Sequence, residues 1–113
     1  MGASAVQLLP RKPVMSGVEV RHPGRVLFED FLPAMGISLA AAGKLIGVSH
    51  TTIYKLLHGQ YGVSPMMALR LGKLCGNGPR FWLEIQLAWD IHMLEQLGDG
   101  PTERIPQMPL RLG

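Results

Sequence analysis

A single cysteine, Cys75, in 113 residues leaves no intrachain disulfide to hold this chain together, and points to a reducing compartment. Its place at the apolar end of an expected helix reads as a small buried hydrophobe rather than a redox centre. Charge is sparse too: Asp, Glu, Lys and Arg make up 17% of the residues, against 47% hydrophobic. That balance leaves apolar surface for a partner to cover, and an oligomer is the expectation. No uninterrupted apolar run nears the roughly 18 residues of a membrane span. The N-terminus, MGASAVQLLPRKPVMSG, places its basic residues after the apolar ones, unlike a secretory signal, and has Val6 where a myristoylation signal needs Ser or Thr. The expectation is a soluble, cytoplasmic protein with no membrane partner. Repeats and low-complexity tracts are absent. So is a catalytic set: His22, His50, His58 and His92 are scattered, with no Asp, Glu or Cys at ligand or triad spacing on a shared element. The reading therefore includes no catalytic residue, metal or cofactor.

What is present is concentrated in Ser38 to Gly59, SLAAAGKLIGVSHTTIYKLLHG. Leu39, Ala42, Leu45 and Ile46 recur at helical spacing, Gly47 and Val48 interrupt, and Ile53, Leu56 and Leu57 resume one face of a new helix. Ser38 and Ser49 stand at N-cap positions, and Gly59 stands where helices end in a left-handed residue. Gly47 supplies the positive φ of a sharp turn, and Val48 plugs the space between the two helices. This is a helix-turn-helix. Its second helix leaves His50, Thr51, Thr52, Tyr54, Lys55 and His58 free to touch something. In such motifs the second helix enters the major groove, with its N-terminal residues on base edges and its flanks on phosphates. His50, Thr51 and Lys55 are the expected base contacts, Thr52 and Tyr54 the rim, and Ser49 and His58 the ends of the same face. Lys44, Lys55 and Arg25 are expected phosphate contacts.

The net charge is +3, which permits nucleic-acid binding without demanding it. Residues 23–96 hold six basic and five acidic side chains, so affinity for DNA has to come from a local patch and from doubling by dimerisation.

Along the chain, residues 1–21 read as a flexible arm, residues 22–96 as the helical DNA-binding domain and residues 97–113 as a flexible tail rich in Gly and Pro. A first helix is expected over about 23–34, with Pro23 in its first turn, a stripe of Val26, Leu27, Phe31 and Leu32, and Pro33 too late to continue it. Helices over 39–46 and 50–58 follow. A fourth is capped by Ser64, with Met67, Ala68, Leu71, Leu74 and Cys75 inward. The last and longest opens at Pro79 and carries two apolar faces: Phe81, Trp82, Ile85, Ala88, Trp89 and Met93 on one, Leu83, Leu87, Ile91 and Leu94 on the other. A helix with two apolar faces needs two partners. The second face is expected to pair with a second copy, giving a homodimer with two recognition helices about one DNA turn apart.

From His22 to about Glu95 the chain resembles the HigA antitoxin family within the Xre/Cro-like helix-turn-helix group. The residues that carry the likeness are the opening HPG, the GVS turn, the stretch HGQYGVSPMMALRL and the closing FWLEIQLAWD. The resemblance implies an all-α, five-helix, lambda-repressor-like domain, dimeric through its C-terminal helix. It also implies binding to double-stranded operator DNA of its own operon, and masking of a HigB-type mRNA-cleaving toxin. Three positions depart from the family pattern: Gly43 for a common alanine, Leu39 for a common phosphate-binding glutamine, and His50 for a longer polar residue. The competing readings are a stand-alone repressor of the same fold, and a protein-interaction module that has lost DNA binding.

Overall fold

In the computed structural model, residues 19–111 are described. Five helices make up this part: α1 (Pro23–Met35), α2 (Leu39–Ile46), α3 (His50–Leu57), α4 (Pro65–Cys75) and α5 (Gly78–Leu97), followed by a single 3₁₀ turn, Gly100–Thr102. No strand occurs among the described residues. Of the arm expected over 1–21, residues 1–18 lie outside the described residues, as do 112–113 of the tail.

Each start and stop has a local cause. The Oγ atoms of Ser38, Ser49 and Ser64 accept from the N–H groups of Ala41, Thr52 and Met67 at 3.0–3.1 Å, relieving donors that a helix start leaves orphaned. Left-handed glycines close α1, α2 and α4 at Gly36, Gly47 and Gly76. Between α2 and α3 only Gly47, Val48 and Ser49 intervene, and the Val48 N–H returns to the Gly43 carbonyl at 2.9 Å.

Four helices and the loop before α4 converge on α5. Trp82 is fully buried, with Phe31 at 5.1 Å between ring centroids and Phe81 edge-on at 5.3 Å. Around it lie Val26, Leu27 and Leu32 from α1, Leu39, Ala42 and Ile46 from α2, Ile53 and Leu56 from α3, Val63 from the loop, and Ala68 and Leu71 from α4. Burying apolar side chains of this size contributes roughly 1.5–3 kcal/mol each.

Three expectations are corrected. Pro33 does not end the first helix but lies inside it, because Leu27–Phe31 form a π turn in which the Leu32 N–H bonds the Leu27 carbonyl. The turn has a packing reason. Val26 and Phe31, like Leu27 and Leu32, are five residues apart, which on an unbroken α-helix is about 140° of rotation. The wider turn brings all four into the core, and Pro33, without an N–H, follows where the ladder is already broken. Leu45, expected inward, is 66% exposed because α2 buries the arc of Leu39, Ala42, Gly43 and Ile46. Met93 is 46% exposed because α5 has by then run past the body of the domain. Cys75 is half-buried, and burial pushes its thiol up to about 12, which suppresses the thiolate.

His22 ties α1 to the rest. Its Nδ1 accepts from the Gly24 N–H at 3.0 Å as the N-cap of α1, and its ring stands edge-on to Trp89 at 5.5 Å. The cap requires a neutral imidazole. Burial holds its pKa below the ordinary value, while the Tyr61 backbone and Asp90 pull weakly the other way. A depressed folded pKa means that the unfolded chain takes up the proton first, so the stabilisation is whole above about pH 6.5 and is lost as pH falls below it. The expected result is a melting temperature that drops from pH 7 towards pH 5, with a shallower drop in His22→Asn, which keeps a cap acceptor but does not titrate; equal slopes would reject His22 as the cause.

Candidate nucleic-acid interface

The outward surface of α3 is what α1, α2 and α4 leave uncovered. Ile53 and Leu56 are buried, and Thr52, Lys55 and Leu57 are half-buried at the edges. His50, Thr51, Tyr54 and His58 are exposed. At 3.6 residues per turn, Thr51, Tyr54, Lys55 and His58 share the side opposite the core, with His50 beside them. The aromatic rings form a ladder up the helix: His50 to Tyr54 at 4.2 Å, then Tyr54 to His58 at 6.2 Å. Lys55 extends over the Tyr61 ring, its Nζ 5.4 Å from the centroid. That geometry holds the charge near the loop that follows the helix.

Not every expected residue is equally free. Ser49 and Thr52 are engaged with each other: Ser49 Oγ donates to Thr52 Oγ1 at 2.9 Å while accepting from the Thr52 N–H at 3.0 Å. Their first task is to start the helix. Lys44 stands apart, exposed on the last turn of α2 and on the side away from that helix's buried arc. Arg25 is bound to Glu29 one turn along α1. Leu39, in the place of a polar residue, is core. The four residues assigned to a second copy, Leu83, Leu87, Ile91 and Leu94, are all exposed, by 37–62%.

Other residues that shape this surface are not evident from periodicity. An Arg70 guanidinium N–H donates to the Ile46 carbonyl at the end of α2, bracing the turn into α3 from α4. Gly24 is the point where α1 meets the end of α3 backbone to backbone; a Cβ there would lie 2.1 Å from the Leu56 carbonyl oxygen. A glycine in the first turn of a helix is the signal for such an approach. Charge also has a finer pattern than its average over 23–96. From Phe31 to Leu83 there is no Asp or Glu, while Lys44, Lys55, Arg70, Lys73 and Arg80 all fall there. The helix-turn-helix and α4 thus form a wholly cationic unit, suited to a phosphate backbone. Among the described residues, no three His, Cys, Asp or Glu side chains come together as a metal site. No single helix there is long and apolar enough to cross a membrane.

No family model matches the chain. Individual proteins do. Virulence-associated protein I of Dichelobacter nodosus is 39% identical over 75 residues, 66% of this chain and 69% of that protein. Antitoxin HigA-1 of Vibrio cholerae is 38% identical over 68 residues, 60% of this chain and 64% of its own length. Among solved structures, the antitoxin GraA is 38% identical, covers 81% of this chain and 100% of its own, and gives a TM-score of 0.72. The same antitoxin in complex with its operator gives 0.70, at 36% identity over 82% of this chain and 95% of that one. By sequence and by fold, the chain belongs to the HigA family of helix-turn-helix antitoxins.

Proposed function

We propose that this chain is a DNA-binding antitoxin that represses its own operon and neutralises a HigB-type mRNA-cleaving toxin in the cytoplasm. The observation that carries the DNA half is the outward face of α3, with Thr51, Tyr54 and His58 exposed and Lys55 half-buried beside them, on a unit without a single carboxylate. GraA, similar over the whole of its length, is known in complex with an operator. Thr51 and His50 are assigned to base edges. Lys55 is assigned to phosphate, with Tyr54, Thr52, His58, Ser49 and Lys44 at the margin of the contact. The antitoxin half rests on membership of the family. A promoter fusion tests the first and co-expression the second: the chain should silence a reporter driven by its own upstream DNA, and should restore growth to cells expressing a HigB-type toxin. A reporter left active, or growth left arrested, would each remove the corresponding half.

The same reading includes a homodimer. Leu83, Leu87, Ile91 and Leu94 make an apolar stripe on the outer side of α5 that no other described residue covers. A two-fold axis across this stripe would give paired recognition helices for paired half-sites. Leu87→Asp, at a position already 54% exposed, is expected to leave the fold intact and yield a monomer by size exclusion with light scattering. A dimer that persists unchanged rejects the stripe.

A further inference from the structure

Among the described residues, the last part of α5 has no packing partner. Buried positions on this helix end at Ile85 and half-buried ones at His92; from Met93 to Arg111 every described residue is exposed. This protruding end is both apolar and acidic. Leu94 and Leu97 are 62% and 59% exposed, and between Phe81 and Glu103 the chain has no Lys or Arg but five of its eight acids, Glu84, Asp90, Glu95, Asp99 and Glu103.

Elsewhere on the molecule lies a surface of the opposite character. Between the end of α2 and the outer side of α4 runs an open groove of about 410 Å³, lined by Leu45, Ile46, Leu69, Arg70, Lys73 and Leu74. Leu45 and Leu69 are 66% and 54% exposed on it. Its charged residues are cations only, and they sit in the stretch that contains no acid.

Two exposed apolar surfaces of opposite charge on one chain fit each other between two copies. We infer that the C-terminal end of α5 and the turn after it, centred on Leu97 and Asp99, dock into the Leu45, Leu69 and Lys73 groove of a second copy. The inference rests on the dimer proposed above, and symmetry gives it a location. The apolar stripe from Leu83 to Leu94 is centred between Ala88 and Trp89. In a two-fold pairing residue i meets j and j meets i, so an antiparallel arrangement sets Leu97 opposite Arg80, six residues along the chain from Leu74, which lines the groove. The groove ends at Ile46, whose carbonyl is held by Arg70 next to the turn into α3. An arm seated there braces the partner's helix-turn-helix as well as closing the dimer.

The test uses the full chain with Leu97→Asp in the arm, Leu69→Asp in the groove and Lys73→Glu at its rim, all at exposed positions where the monomer fold is kept, as circular dichroism would verify. Sedimentation equilibrium should show the dimer dissociation constant raised at least tenfold by either leucine change, and several-fold by Lys73→Glu. In a Cys75→Ser background, a Leu97→Cys copy mixed with a Leu69→Cys copy should be joined by a short bismaleimide, and neither copy alone should be. A wild-type dimer whose constant is unmoved by Leu97→Asp and Leu69→Asp overturns the docking and assigns the groove to some other partner, while leaving the stripe intact if Leu87→Asp still gives monomers. A wild-type chain that is monomeric at all concentrations overturns stripe and arm together.

Discussion

Gly24→Ala is expected to unfold the domain or strip α1 from it, with a loss of about 3 kcal/mol or more. The added Cβ would lie 2.1 Å from the Leu56 carbonyl oxygen, 2.7 Å from its carbon and 2.9 Å from the Leu57 Cα. These are backbone atoms at the end of α3, and no side-chain rotation relieves the collision. Overpacking against movable side chains already costs roughly 1–3 kcal/mol; here two helices have to part. Out of a total stability of about 5–15 kcal/mol for a small domain, the change is large, and it exceeds by far the gain in helix propensity from alanine, about 1 kcal/mol. A urea titration followed by circular dichroism reads it directly. Stability equal to that of the parent chain would show that α1 does not contact α3 in this way.

The second large effect is on DNA. Thr51→Ala with Lys55→Ala removes a candidate base contact and a candidate phosphate contact from each recognition helix, and a dimer loses both twice. Affinity for operator DNA is expected to fall at least about a hundredfold, at roughly 1–3 kcal/mol per specific contact. The slope of log affinity against log salt should shrink, since each phosphate contact contributes about one unit. Neither side chain is buried and threonine is a weaker helix former than alanine, so the melting temperature should hold. The Lys55 to Tyr61 contact at 5.4 Å is lost as well, and Tyr61→Leu should reproduce only a minor part of the defect. Unchanged affinity in the double variant would take the groove contact away from α3.

Local chemistry made most of the fold legible. Serine caps, left-handed glycines and the return of apolar residues every three or four positions are all short-range, so α2, α3 and α4 are found within a residue or two of where the sequence puts them. The two-faced character of α5 was legible too, because Trp82 and Ile85 bury on one side and leave Leu83 and Leu87 on the other. What a wheel does not contain is distance between elements. The π turn in α1 is set by which residues the core demands, although the five-residue spacing of Val26 to Phe31 and Leu27 to Leu32 carries its signature. The exposure of Leu45 and Met93 depends on where a neighbouring helix stops. Of the site, the outward face of α3 follows from the sequence alone. The bracing by Arg70, the cap by His22 and the contact at Gly24 join residues far apart in the chain, and no periodicity records them.

The central claim is that α3 reads double-stranded DNA, and fluorescence anisotropy tests it most directly. The purified chain is titrated onto labelled DNA from immediately upstream of its own coding sequence and onto a scrambled duplex of equal length, at two salt concentrations. Binding to the first should be tight, binding to the second at least about a thousandfold weaker, and affinity for both should fall as salt rises. Equal binding to the two duplexes, or none to either, would contradict it.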